Sequence, residues 1–214
     1  MKHIYDPSLV LYQPLYQLDG ASFMSKDAYG HLCTVTGAEW GLQGRTFVPV
    51  GDRINLPAGS VDLQVFTISM WICWNGGAGA VAKMLFSNHE TDGTDGYMFR
   101  LESDETIAVY CYNTAGAIAF AAQSTGAVTV NTWHFVNLVC PGDGGTVQIY
   151  LDTVPDGSTT QTAITYGTSV TRIGYGSESN IPFAGIIGDV LVHSRVLSTT
   201  EMTHMRNSTT WRYI

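Results

Sequence analysis

The sequence predicts an all-β fold: a β-sandwich of two antiparallel sheets, closed by one short C-terminal helix. Three observations lead there. Apolar residues recur with a period of two or in short continuous runs, and no long helical period is present. Turn residues separate those runs at close, even spacing, which is the signature of a sandwich or barrel. Only 13% of the 214 residues are charged, so Gly, Ser, Thr, Asn and Gln must cover much of the surface, as suits many strands and polar turns.

In chain order the candidate strands are residues 45–50, 65–74, 81–87, 97–102, 107–113, 117–123, 133–140, 147–152, 169–174 and 185–193. Turn chemistry divides them at Asn75-Gly76-Gly77, Asp92-Gly93, Asp95-Gly96, Pro141-Gly142-Asp143-Gly144-Gly145 and Asp156-Gly157. In the strand at 147–152, alternation points Val147, Ile149 and Leu151 inward and leaves Tyr150 half-covered. The run at 133–140 is apolar on both faces, which marks a central strand covered on both sides. Ser198-Thr199-Thr200-Glu201 has the form of a capping box and opens a short helix through about Asn207. Residues 1–45 read as more irregular, but Tyr12, Leu15, Tyr16, Leu18, Phe23 and Trp40 predict that they wrap onto the same sandwich. Residues 1–214 are therefore one domain, a length that buries a core without metals or disulfides.

The net charge of −8 argues against nucleic acid as a partner, since an acidic surface repels phosphate. No apolar stretch approaches a membrane span, so no membrane insertion is expected. Asp6 and Pro7 break the opening segment, which does not read as a secretory signal. Cys33, Cys73, Cys111 and Cys140 lack paired metal-ligand spacing and read as small buried residues with free thiols, a cross-strand disulfide remaining an alternative.

Four segments, in order, resemble one family. They are Leu15-Tyr16-Gln17-Leu18-Asp19-Gly20 with Asp27–His31 after it, the strand Phe66-Thr67-Ile68-Ser69-Met70-Trp71-Ile72, the pair Trp133–Val139 and Val147–Asp152, and the closing run Phe183–Ser198. The chain resembles the bacterial and viral laminin-G-like domains of the concanavalin A-like lectin/glucanase class. The resemblance implies a jelly-roll sandwich and spans nearly the whole chain. It implies little about function, because the fold hosts lectins, adhesion modules, enzymes and virion proteins alike. Two departures stand out. The family's Asp-Gly turn is Asp152-Thr153 here, and the first of two acids in its closing strand is Gly188, leaving Asp189.

Sugar binding needs aromatic faces beside polar groups, and Trp74, Tyr97, Tyr110 and Tyr112 are the candidates, lying at strand ends or alternating outward. No cofactor is required. One structural calcium is allowed, with Asp19 and Asp189 as ligands by resemblance and Asp92 and Asp95 in the acidic loop at 88–96. Glu102-Ser103-Asp104-Glu105 invites comparison with glucanase carboxylates, but Thr106 stands at the third period-two position and Glu105 points the other way. The expectation is thus a non-catalytic binding module, in a virion (phage capsid or tail) or the cytoplasm, with glycans or other virion proteins as partners. A carbohydrate-active enzyme and a protein-binding adhesion domain are the alternatives.

Overall fold

The computed structural model describes residues 6–17, 20–49, 51–76, 82–89, 94–168, 170–176 and 181–214. In chain order its elements are β1 (Leu9–Pro14), β2 (Ser22–Met24), β3 (Leu32–Thr36), β4 (Glu39–Gly41), β5 (Gly44–Phe47), β6 (Arg53–Asn55), β7 (Phe66–Trp74), β8 (Lys83–Ser87), β9 (Tyr97–Leu101), β10 (Thr106–Tyr112), β11 (Ile118–Ala127), β12 (Trp133–Cys140), β13 (Thr146–Leu151), β14 (Val154–Thr160), β15 (Arg172–Ile173), β16 (Gly185–His193) and α1 (Thr199–Tyr213). The first sheet runs β14-β13-β12-β7-β16-β5-β4, with β1 also paired to β16; the second runs β11-β10-β9-β8-β15-β6-β3-β2. This is the two-sheet antiparallel sandwich that the alternating pattern predicts.

The core lies between the sheets. Ile68, Met70 and Ile72 of β7 and Val136 and Leu138 of β12 meet Leu85, Phe86, Phe99 and Val109 of the second sheet. The double-sided strand at 133–140 is indeed central. Its other face gives Phe135 and Val139 to a second cluster with Trp71, Leu191, Met202, Met205 and Tyr213. That second cluster docks α1 on the outer face of the first sheet, where Trp71 stacks on Tyr213 at 4.7 Å and lies 5.2 Å from Phe135. Among the described residues no helix lies on the outer face of the second sheet.

Two expectations are corrected. The described residues of the segment 6–45 are not irregular, since β1 to β4 and the start of β5 lie there; β1 continues the first sheet beside the C-terminal half of β16, and β5 pairs with its N-terminal half. The helix does not end near Asn207 but runs to Tyr213. Its last two turns contain Asn, Ser and Thr, poor helix formers. Tertiary contacts override that propensity: the Trp71 indole donates to Thr209 Oγ1 at 2.8 Å, and Tyr213 packs on Trp71 and Trp133. Its N-terminus carries the expected capping box between Ser198 and Glu201. β14, a run of Pro, Asp, Gly, Ser and Thr, reads as turn in sequence but is an edge strand, where proline is tolerated. The Asp156 carboxylate accepts from the Thr125 and Gly126 backbone N–H groups, both at 2.8 Å, and so ties β14 to β11 across the open side of the sandwich.

All four cysteines are free. Burial pushes the Cys33 thiol up to about 11 and Cys111 up to about 12.

Candidate functional site

Strand registers place one residue from each strand of the second sheet in a single transverse row. The row reads Ala121, Tyr110, Met98, Ser87, Arg172, Asn55, Thr34 and Ser22, each opposite the next. On β9 and β10 the neighbours in sequence, Phe99, Val109 and Cys111, point into the core, so the row lies on the outer face. Eight strands at the usual spacing make it about 34 Å long. From Ala121 it passes an aromatic ring, a methionine, a hydroxyl, a guanidinium and an amide, and ends on exposed hydroxyls. Ser87 Oγ and Asn55 Oδ1, flanking Arg172, are buried and have no hydrogen-bond partner among the described residues. An unpaired buried polar atom costs about 1–3 kcal/mol.

The tyrosine end of the row is braced. The Arg100 guanidinium lies 4.2 Å from the Tyr110 ring centre and its Nε donates to Glu102 at 2.7 Å. His89 meets Tyr112 edge-on at 4.7 Å. Tyr110 and Tyr112 pack beside Met84, Met98 and Ile181, a small apolar cluster separate from the core. Ile181, from the segment before β16, accepts the Met84 N–H and roofs the middle of the face. Gln123 donates to Asp104 and Thr106 alongside.

Of the four aromatic candidates, the structure brings Tyr110 and Tyr112 together on this face. Trp74 and Tyr97 are elsewhere. Both belong to the core between the sheets, and Tyr97 is 1% exposed, stacked on Phe66 and Phe86. The expectation that they turn outward is corrected: on β9 the outward positions are Met98 and Arg100, one residue out of phase with Tyr97. The row residues Ser87, Arg172 and Asn55 were not singled out from sequence. Ser87 sits beyond a register shift in β8 that inverts the alternation, and β6 and β15 are too short to show a period.

Among the acidic candidates, Asp19 and Asp92 lie outside the described residues. Asp95 has a buried Oδ1 with no partner among the described residues. Asp189 is 1% exposed on the opposite sheet, where it accepts from Arg212 Nη1 at 2.7 Å, from the Tyr213 hydroxyl at 3.0 Å and from the Tyr12 hydroxyl at 3.3 Å. Burial pushes its carboxyl up, against the pull of Arg212. The missing acid at Gly188 has a steric cause: a Cβ there would lie 2.5 Å from the Tyr213 ring. Among the described residues no group of three or more His, Cys, Asp or Glu gathers as for a metal ion. Glu102, Asp104 and Glu105 form a turn between β9 and β10, closed by the Glu105 N–H to Glu102 carbonyl bond. Hydrogen bonds from the Thr106 side chain and backbone hold Asp104 below the usual carboxylate range. His134 is structural: the Thr129 N–H donates to its Nε2, so Nδ1 carries the proton and donates to Asp152 at 2.8 Å.

Two eight-stranded sheets, a helix on one outer face and a polar-aromatic row on the other define a jelly-roll sandwich. A family description, that of the concanavalin A-like lectin/glucanases superfamily, matches residues 49–203. The chain belongs to that superfamily. Its fold is similar to that of domain 4 of AbnA, a GH43 extracellular arabinanase from Geobacillus stearothermophilus solved with arabinotriose (TM-score 0.73, 15% identity, 92% of this chain and 98% of that one). It is similar to the binding domain of botulinum neurotoxin serotype D/C (TM-score 0.73, 14% identity, 94% of this chain and 52% of that one). It also resembles Trypanosoma rangeli sialidase, solved with sialic acid (TM-score 0.73, 16% identity, 98% of this chain and 34% of that one). At these identities the likeness is one of fold.

Proposed function

We propose that the chain is a non-catalytic glycan-binding module and that the outer face of the second sheet is its site. The cross-strand row carries this reading. Half-buried Tyr110 and Tyr112 offer their rings to a pyranose, while half-buried Arg172 and Asn55 lie in line with Tyr110 and carry guanidinium and amide donors. Met98 and Ser87 in the middle of the row are covered, so the tyrosine end is the part of it proposed to meet sugar. The fold neighbours solved with arabinotriose and sialic acid support sugars as the ligand class.

Binding without catalysis is supported by the carboxylates on that side of the sandwich. Glycosidases need one acid held protonated and a second carboxylate across the bond. Glu102 is tied to the Arg100 guanidinium, and Asp104 is held ionised by Thr106. An oligosaccharide array is expected to show binding, and reducing-sugar release from the bound glycans is expected to be nil. Hydrolysis lost in Glu102→Gln would overturn the non-catalytic reading. The finer proposal, that the module decorates a virus particle, rests on the resemblance to viral members of the family. Peptide mass mapping of purified particles that lacked this chain would refute it.

A further inference from the structure

A second place in the molecule is built like a ligand site and lies on the opposite sheet. Between α1 and the outer face of the first sheet is a cavity of about 280 Å³. Tyr12, Tyr16 and Trp211 line it, Trp211 being 72% exposed, and Trp71 lies buried beneath them. Asp189 and Arg212 meet inside it. We infer that this cavity binds a single neutral, hydroxylated ring of monosaccharide size, independently of the site on the second sheet.

Charge, chemistry and size each narrow the occupant. Asp189 is matched by Arg212 at 2.7 Å, so the cavity carries no uncompensated charge. A cationic ligand would compete with a guanidinium that already lies 3.4 Å from the Tyr16 ring centre and 4.9 Å from that of Trp211. An anionic ligand would face the buried Asp189 carboxylate. A purely apolar ligand would seal polar groups away from water without partners. A hydroxylated ring avoids all three. Asp189 Oδ1 accepts only a long 3.3 Å bond from Tyr12, so it has room for a ligand hydroxyl. A guanidinium has five N–H donors, more than its bond to Asp189 uses. The C–H face of the ring then packs on the exposed indole of Trp211. The volume falls just below the roughly 300–1,000 Å³ of pockets that hold drug-sized ligands, which excludes an oligosaccharide and admits one ring.

The test uses the five tryptophans as reporters. With 5-fluorotryptophan incorporated, each gives a ¹⁹F resonance, assigned by single Trp→Phe substitutions. Methyl glycosides of common hexoses and pentoses are titrated one at a time. At least one is expected to shift the Trp71 and Trp211 resonances saturably. The shifts should persist in a Tyr110→Ala/Tyr112→Ala variant, which separates this cavity from the second-sheet site. Ser208→Leu, at an exposed lining position of α1 that takes no part in the Asp189–Arg212 pair, should fill the cavity and weaken binding by about tenfold or more. Either of two results overturns the inference: no glycoside moves Trp71 or Trp211, or the shifts survive Ser208→Leu undiminished.

Discussion

Thr153 sits in the two-residue loop between β13 and β14, where Leu151 pairs with Val154. Asp152 and Thr153 have φ of +52° and +70°, the left-handed pair that defines a type I′ hairpin. An L-residue there costs about 1–2 kcal/mol, and a β-branched one gains nothing from the position. The Thr153 side chain accounts for no hydrogen bond among the described residues. Replacing it by glycine relieves the strain but adds unfolded-state freedom worth about 0.5–1 kcal/mol. Thr153→Gly should therefore stabilise the protein by about 0.5–1 kcal/mol, a rise in melting temperature of about 1–4 °C for a chain this long. Asp152→Gly relieves the same kind of strain but should destabilise. It removes a carboxylate that accepts from the Phe135 N–H at 3.0 Å and His134 Nδ1 at 2.8 Å and lies 3.5 Å from Arg206. Thermal unfolding of the two variants checks both signs. A lower melting temperature for Thr153→Gly would refute the strain argument.

Three further outcomes are expected. Gly188→Ala should cost about 1–3 kcal/mol, because its Cβ would press into the Tyr213 ring and lift the end of α1; melting and near-ultraviolet circular dichroism read the loss. Hydrogen bonds from Arg195 and Ser198 hold Glu201 down to about 2, from an ordinary value of 4.5. Asp6 is also lowered, its bonds to Arg195 and Ser8 outweighing the upward push of burial. Stability from these groups is full above about pH 4.5 and is lost as pH falls toward 2, so melting temperature should drop across that window and drop less in Glu201→Gln. Finally, a thiol reagent at pH 8 should label half-buried Cys73 first, while Cys33, Cys111 and Cys140 react only on unfolding.

The sandwich was legible because β7, β12 and β16 are long and strongly patterned, and the residues at 133–140 and 185–193 appear in the structure as the strands Trp133–Cys140 and Gly185–His193. The short strands β2, β3, β4 and β6 were not, since three to five residues carry too little period to stand out from loop. β14 was hidden by its turn composition. The candidate site was half legible. Tyr110 and Tyr112 follow from the alternation of β10, but Tyr97 was placed on the wrong face because its strand has no polar residue until Arg100 to set the phase. Arg172 and Asn55 become neighbours only through pairings across more than a hundred residues of chain, which no local pattern records. The Gly188 departure was visible, but its cause was not, because Tyr213 reaches it from the far end of α1.

The central claim is that glycan binds along the outer face of the second sheet. Isothermal titration with an oligosaccharide identified on the array tests it most directly, using Tyr110→Ala, Tyr112→Ala and Arg172→Ala. Leu42→Ser, an exposed residue beside the far edge of the first sheet, is the control. Each second-sheet variant should bind at least about tenfold more weakly, a loss of about 1.4 kcal/mol, with the control unchanged. Undiminished affinity in all three variants would contradict the account.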